Sequence, residues 1–149
     1  TKFFALPGLR LGYVAGTPAR VQQLADLLPP WNINSLAQAA GLAALRDHKY
    51  QSHSREYIHK TRQKLFEALQ GISGLQVLPP TANFIFCRLG EGWPNAPRLV
   101  ELMGQRGFLL RDCSNYRGLD DRCLRLAVRR QRDNEALVAA WRELAGHGA

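Results

Sequence analysis

Thr1-Lys2-Phe3-Phe4-Ala5-Leu6-Pro7-Gly8-Leu9-Arg10-Leu11-Gly12-Tyr13 opens the chain and holds its most specific chemistry. Lys2 offers an amine, a nucleophile only once its proton is gone, so such a lysine belongs in a partly desolvated site. An arginine such as Arg10 stays charged throughout and is able to grip an anion through paired N–H bonds. Between them, Pro7-Gly8 is a turn signal. The weak alternation that follows, bounded by Gly16, predicts a short strand over 9–16. Taken singly, Lys2 is a terminal lysine and Arg10 a surface charge. The combined spacing of Lys, Pro-Gly, Arg and Gly-Tyr favours a site.

Working outward, Thr17-Pro18 opens a helix, with Thr17 as N-cap and Pro18 at the first helical position, and Pro29-Pro30 stops it near residue 28. Asn34 or Ser35 caps a second helix with Leu36, Ala39, Ala40 and Ala43 at helical spacing. A long polar helix is expected over 50–69. Its intermittent apolar stripe is Tyr57, Ile58, Leu65, Phe66 and Leu69, and its charged face, with Arg55, Lys60, Arg62 and Lys64, reads as a solvated surface before it reads as an anion site. After Gly74 the texture changes. Strands are expected over 75–78, 83–89, 108–111 and 123–128, with helices over 98–106 and 133–144, the last presenting Leu137, Val138, Trp141 and Leu144. This second block reads as an α+β layer with helices on one face of a sheet. The boundary is placed near Tyr57, giving 1–56 as the tail of a larger domain and 57–149 as a small C-terminal domain.

The 149 residues are enough for a sizeable core, and 46% are hydrophobic. No run approaches the ~20 apolar residues needed to span a bilayer. Twenty Lys and Arg against 12 Asp and Glu give a net charge of +8, which favours anionic partners or simply a basic solvated surface. Cys87, Cys113 and Cys123 form no C-x-x-C pair, which argues against a disulfide framework or a zinc site and suits a reducing cytoplasm. Cys87 lies in an apolar run and reads as a small core residue. His48, His53, His59 and His147 have no partner at metal-ligand spacing, so no metal is expected. The chain begins at Thr1 with working sequence already at Lys2, and is expected to be part of a longer protein.

The opening stretch resembles the lysine motif of fold-type I pyridoxal-phosphate (PLP) enzymes, the class I/II aminotransferase superfamily. In that family the lysine bonds covalently to the cofactor and the arginine binds its phosphate; Lys2 and Arg10 match those positions. Thr81-Ala82-Asn83-Phe84 is similar to the Ala-Asn-aromatic strand of the histidinol-phosphate aminotransferase branch. Arg111 matches an arginine that helps hold the substrate phosphate, and Arg125, in Cys123-Leu124-Arg125-Leu126-Ala127-Val128, matches the one that binds the substrate α-carboxylate. The run from Arg111 through Asn115-Tyr116-Arg117-Gly118-Leu119-Asp120, then Leu124-Arg125, most resembles the L-threonine-O-3-phosphate decarboxylases of cobalamin biosynthesis. Val128-Arg129-Arg130, where the aminotransferases usually have Val-Gly-Thr, and Pro30-Trp31-Asn32-Ile33-Asn34-Ser35-Leu36-Ala37 fit that group better.

The resemblance implies the C-terminal part of a PLP-dependent transferase fold: an incomplete large domain plus a small C-terminal domain. It also implies PLP as cofactor, a phosphorylated amino-acid substrate, and a homodimer with sites near the subunit interface. The family's aspartate that pairs with the pyridine nitrogen, the ring-stacking aromatic and most phosphate donors lie upstream of the lysine, so this chain alone is expected to be inactive. Lys2 is the expected catalytic residue, Lys2 and Arg10 the cofactor ligands, and Arg111 and Arg125 the substrate ligands. Decarboxylation of threonine phosphate to (R)-1-amino-2-propanol phosphate is the leading expectation. A histidinol-phosphate-type transaminase is the alternative, since the same arginines serve both. A basic nucleic-acid-binding module is the distant one, lacking an aromatic platform or a recognition helix.

Overall fold

The computed structural model describes residues 1–146; His147 lies outside them. The chain divides into two compact units, Thr1–Ser52 and His53–Ala149, the division falling within one long helix.

The first unit holds α1 (Pro18–Leu27), α2 (Ser35–Arg46) and the opening turn of α3 (His48–Gln70). Asn34 is the cap of α2: its Oδ1 accepts from the Ala37 N–H at 2.8 Å. Thr17 occupies the N-cap position of α1 without making a cap bond, and Pro18 supplies the fixed φ of the first helical turn. The strand expected over 9–16 is absent. Pro7–Leu9 form a single 3-10 turn, and the following residues have no regular structure. A strand persists only where a neighbour pairs with it, and no described residue of this unit is in a strand. The unit is thinly packed. Ala37 and Gly41 are its buried residues, and Tyr13 and Trp31 are almost fully exposed. Gly41 lets α2 approach the opening segment, because a Cβ there would strike the Leu11 side chain.

The second unit is a four-stranded antiparallel sheet backed by helices. Its strands are β1 (Leu75–Val77), β2 (Phe84–Leu89), β3 (Arg111–Asp112) and β4 (Cys123–Ala127), in the spatial order β1-β2-β4-β3. Period-2 alternation sorts their side chains. Ile85, Cys87 and Leu89 of β2, with Leu124 and Leu126 of β4, are buried. They form one core with Leu65 and Leu69 of α3, Leu99 and Met103 of α4 (Ala96–Gly104), and Leu137, Val138, Trp141 and Leu144 of α5 (Gln131–Gly146). The helices lie on this face, as the pattern predicts. The other face keeps Phe84, Arg88 and Arg125 exposed.

Two boundaries differ from expectation for local reasons. Helix α4 starts two residues early because Asn95 caps it, its Oδ1 accepting from the Arg98 N–H, with Pro97 in the first turn. The strand expected over 108–111 shrinks to Arg111–Asp112, because β4 pairs with it only at Arg111↔Arg125 and Asp112↔Leu124; Leu109 is left 93% exposed. On α3, Leu65 and Leu69 are buried as read, while Tyr57 is exposed and accepts from the Gln131 N–H. The charged face of α3 is largely used locally: Lys60 pairs with Glu56, Arg62 donates to the Thr81 and Ala82 carbonyls, and Lys64 to Gln131.

Candidate active site

Lys2 and Arg10 stand in the first unit on a segment that closes on itself. The Thr1 hydroxyl donates to the Leu11 carbonyl at 3.2 Å, so Lys2 and Arg10 each sit one residue from an end of that bond. Aromatic packing ties the segment to α3. Phe3 and Phe4 meet edge-on with centroids 4.9 Å apart, each lies 6.0 Å from the Tyr50 ring, and the Tyr50 hydroxyl donates to the Phe3 carbonyl at 3.0 Å. Lys2 borders a cleft of about 680 Å³ whose walls include Phe4, Leu11, Tyr13, Gln38, Gly41 and Leu45, with no carboxylate among its lining residues. Arg10 is not part of that lining. It has left-handed backbone (φ 53°), an unusual state for a non-glycine residue, at the end of the Pro7–Leu9 turn. One guanidinium nitrogen, Nη1, donates back to the Pro7 carbonyl at 2.9 Å.

Arg111 and Arg125 stand in the second unit, and the sheet brings them together. They are direct partners across the β3–β4 ladder, so both side chains leave the same face, the one away from the helices. Arg125 interrupts the apolar alternation of β4 because it faces outward, between the buried Leu124 and Leu126. Its guanidinium lies over the Phe84 ring, 5.2 Å from the centroid, and that of Arg111 lies over Tyr116 at 5.4 Å. Arg111 also donates to Asn115 Oδ1 at 3.2 Å.

The loop carrying Asn115 and Tyr116 is pinned at both ends. At its start, Asp112 accepts from the Ser114 N–H and hydroxyl at 2.8 and 2.9 Å. At its end, Asp120 takes a two-pronged ion pair from Arg88 of β2. That guanidinium, helped by the Arg122 N–H, holds the Asp120 carboxyl down at about 2. Cys123 Sγ lies 3.5 Å from both members of the pair. The roles of Phe84, Tyr116, Asn115 and the Arg88–Asp120 pair escaped the sequence reading. The one available signal was the second alternation on β2, where Phe84, Phe86 and Arg88 interleave with the buried set.

No group of three or more His, Cys, Asp or Glu side chains that could hold a metal ion gathers among the described residues. Cys87 is fully buried, as read. No helix among the described residues is long and apolar enough to cross a membrane.

The chain matches the Aminotransferase class I and II family over residues 1–140. It belongs to that family. Within it, the chain is 37% identical over 145 residues to the threonine-phosphate decarboxylase of Salmonella typhimurium, covering 97% of this chain and 39% of that protein. It superposes on the histidinol-phosphate aminotransferase of Clostridium acetobutylicum with a TM-score of 0.93 at 32% identity, covering 99% of this chain and 44% of that one. A second such aminotransferase, from Sinorhizobium meliloti and in complex with pyridoxal-5'-phosphate, gives a TM-score of 0.85 at 28% identity, with 99% and 40% covered. The chain thus spans about two fifths of the length of the curated relatives it matches. The mixed helix and sheet fold is that of the PLP-dependent transferases it matches.

Pyridoxal phosphate is the cofactor of this aminotransferase family. The donor set of the first unit suits it. Lys2 brings an amine, the partner for an aldehyde, to a cleft without a competing carboxylate. Arg10 commits one nitrogen to Pro7 and keeps further N–H donors for a phosphate.

Proposed function

We propose that the enzyme containing this chain decarboxylates L-threonine O-3-phosphate to (R)-1-amino-2-propanol phosphate with pyridoxal phosphate. The observation that carries this reading is the cross-strand pairing of Arg111 with Arg125 on one open sheet face. Two cationic residues set directly opposite each other across a ladder are unfavourable unless anions balance them. A small molecule with a carboxylate at one end and a phosphate at the other supplies one anion to each. The run 115–122 and the 37% identity to a threonine-phosphate decarboxylase favour this substrate over histidinol phosphate, which has no carboxylate.

In this reading Lys2 bonds the cofactor and returns a proton to the substrate carbon, and Arg10 holds the cofactor phosphate. Arg125 orients the carboxylate and Arg111 the substrate phosphate. The bound cofactor supplies an electron sink for the carbon that loses CO₂. Arg125 would hold the carboxylate that is lost, and so would fix the orientation in which it leaves. Residues 1–56 are the remnant of the large cofactor domain and 57–149 the small domain of a cytoplasmic homodimer. The isolated chain is inactive, because one lysine and one arginine do not complete the site.

The test uses the full-length enzyme with carboxyl-labelled threonine phosphate. Release of labelled CO₂ with formation of the amino-alcohol phosphate supports the proposal. The likeness to histidinol-phosphate aminotransferases motivates the second reading. Amino transfer from histidinol phosphate to 2-oxoglutarate, with no CO₂ released from threonine phosphate, would establish it instead.

A further inference from the structure

Phe84 and Tyr116 are aromatic residues left 41% and 43% exposed, outside the core, each beneath a guanidinium. Arg111 and Arg125 are like charges set directly opposite each other, an arrangement that destabilises an antiparallel pair. Each also carries a long stem whose rotamer freedom must be given up to hold one position. An aromatic face offsets both costs, since its negative quadrupole attracts the cation and its plane restricts the stem. Stacking leaves the in-plane N–H groups of an arginine available, so a stacked guanidinium still donates to an anion. A lysine would lose this combination.

The two rings are themselves fixed. Phe84 stands on β2, paired with Ala127 and two positions from Phe86, the partner of Arg125. Tyr116 is held in a turn just after β3, its N–H donating to the Cys113 carbonyl at 3.0 Å, within the loop that Asp112 and Asp120 pin.

We propose that Phe84 and Tyr116 are positioning residues: they hold Arg125 and Arg111 as a matched pair, so that one dianionic phosphorylated amino acid is gripped at both ends. This rests on the substrate reading above and adds how the pair is held.

Two measurements separate the inference from that reading. In the labelled 149-residue chain, the Hδ protons of Arg111 and Arg125 are expected upfield of those of Arg98, displaced by the ring currents. Tyr116→Leu abolishes the Arg111 displacement and Phe84→Leu that of Arg125, while Tyr116→Phe keeps the ring and the shift. Unshifted Hδ protons in the wild-type chain would overturn the inference with no variant needed. In the PLP-loaded enzyme, Phe84→Leu and Tyr116→Leu are each expected to raise KM for threonine phosphate about two- to fivefold with kcat nearly held, and Tyr116→Phe to match wild type. Equal KM in both leucine variants and wild type, with KM raised in Arg111→Ala and Arg125→Ala, would also overturn it. If instead Arg111→Ala and Arg125→Ala leave KM unchanged while the wild-type chain shows the ring-current shifts, the substrate reading falls and the aromatic platform stands.

Discussion

Arg88 of β2 and Asp120 of the loop before β4 meet as a two-pronged ion pair, Nη1 to Oδ1 at 2.9 Å and Nη2 to Oδ2 at 2.6 Å. Both side chains are about half exposed, so the contact is screened and modest in energy. Its importance is positional, because it closes the loop that places Tyr116 under Arg111. The Asp120 carboxyl is held below its ordinary value, at about 2. A depressed folded-state pKa contributes stability above the unfolded value and loses it as pH falls through the folded one. Asp120→Asn is therefore expected to lower the melting midpoint slightly at neutral pH. The difference from wild type should shrink between about pH 4 and about pH 2. Circular dichroism melts across that range check it; a difference constant with pH would contradict it.

Trp141 anchors the core of the second unit. It is fully buried and meets Trp93 edge-on with centroids 6.2 Å apart, and its indole N–H has no hydrogen-bond partner among the described residues. Trp141→Ala is expected to cost about 3–5 kcal/mol by cavity formation. Trp141→Phe should cost clearly less, because it also removes an unpaired buried donor. Urea denaturation of both variants measures the two costs.

Gly74 turns the chain from α3 into β1 with φ at +72°, and an added Cβ would sit 3.1 Å from the Trp93 indole. That indole donates to the Ser73 carbonyl at 2.9 Å, so it is poorly free to move aside. Gly74→Ala combines left-handed strain with crowding and is expected to cost more than about 1 kcal/mol. Gly92→Ala, with open space around its Cβ position, is the matched control.

The second unit was largely legible in the sequence because both of its periodicities are clean. The alternation of Ile85, Cys87 and Leu89 with Phe84, Phe86 and Arg88 defines β2, and Leu137, Val138, Trp141 and Leu144 define the buried face of α5. The strand over 9–16 was not borne out, since strand pairing is non-local and the unit offers no partner. Leu109 misled for a similar reason: apolar residues at 108–110 look like a strand whether or not a ladder reaches them. The pairing of Arg111 with Arg125 was invisible, since register joins positions fourteen residues apart only once the sheet is formed. The aromatic platforms depend on that register and were hidden with it.

The Cys87 thiol is pushed up to about 12 by burial. Thiolate is the reactive form, so Cys87 is expected to resist alkylation at pH 8 in the folded chain and to react once denaturant opens the core. Peptide-resolved mass spectrometry after iodoacetamide treatment reads this directly. Rapid native labelling of Cys87 would show that the β2 core opens.

The assignment of Lys2 to the cofactor is the centre of this account, and reductive mapping tests it most directly. Borohydride treatment of the PLP-loaded full-length enzyme, followed by proteolysis and mass spectrometry, should place the pyridoxyl group on Lys2, and Lys2→Ala should carry none. A pyridoxyl group on another lysine, with Lys2 unmodified, would contradict the account.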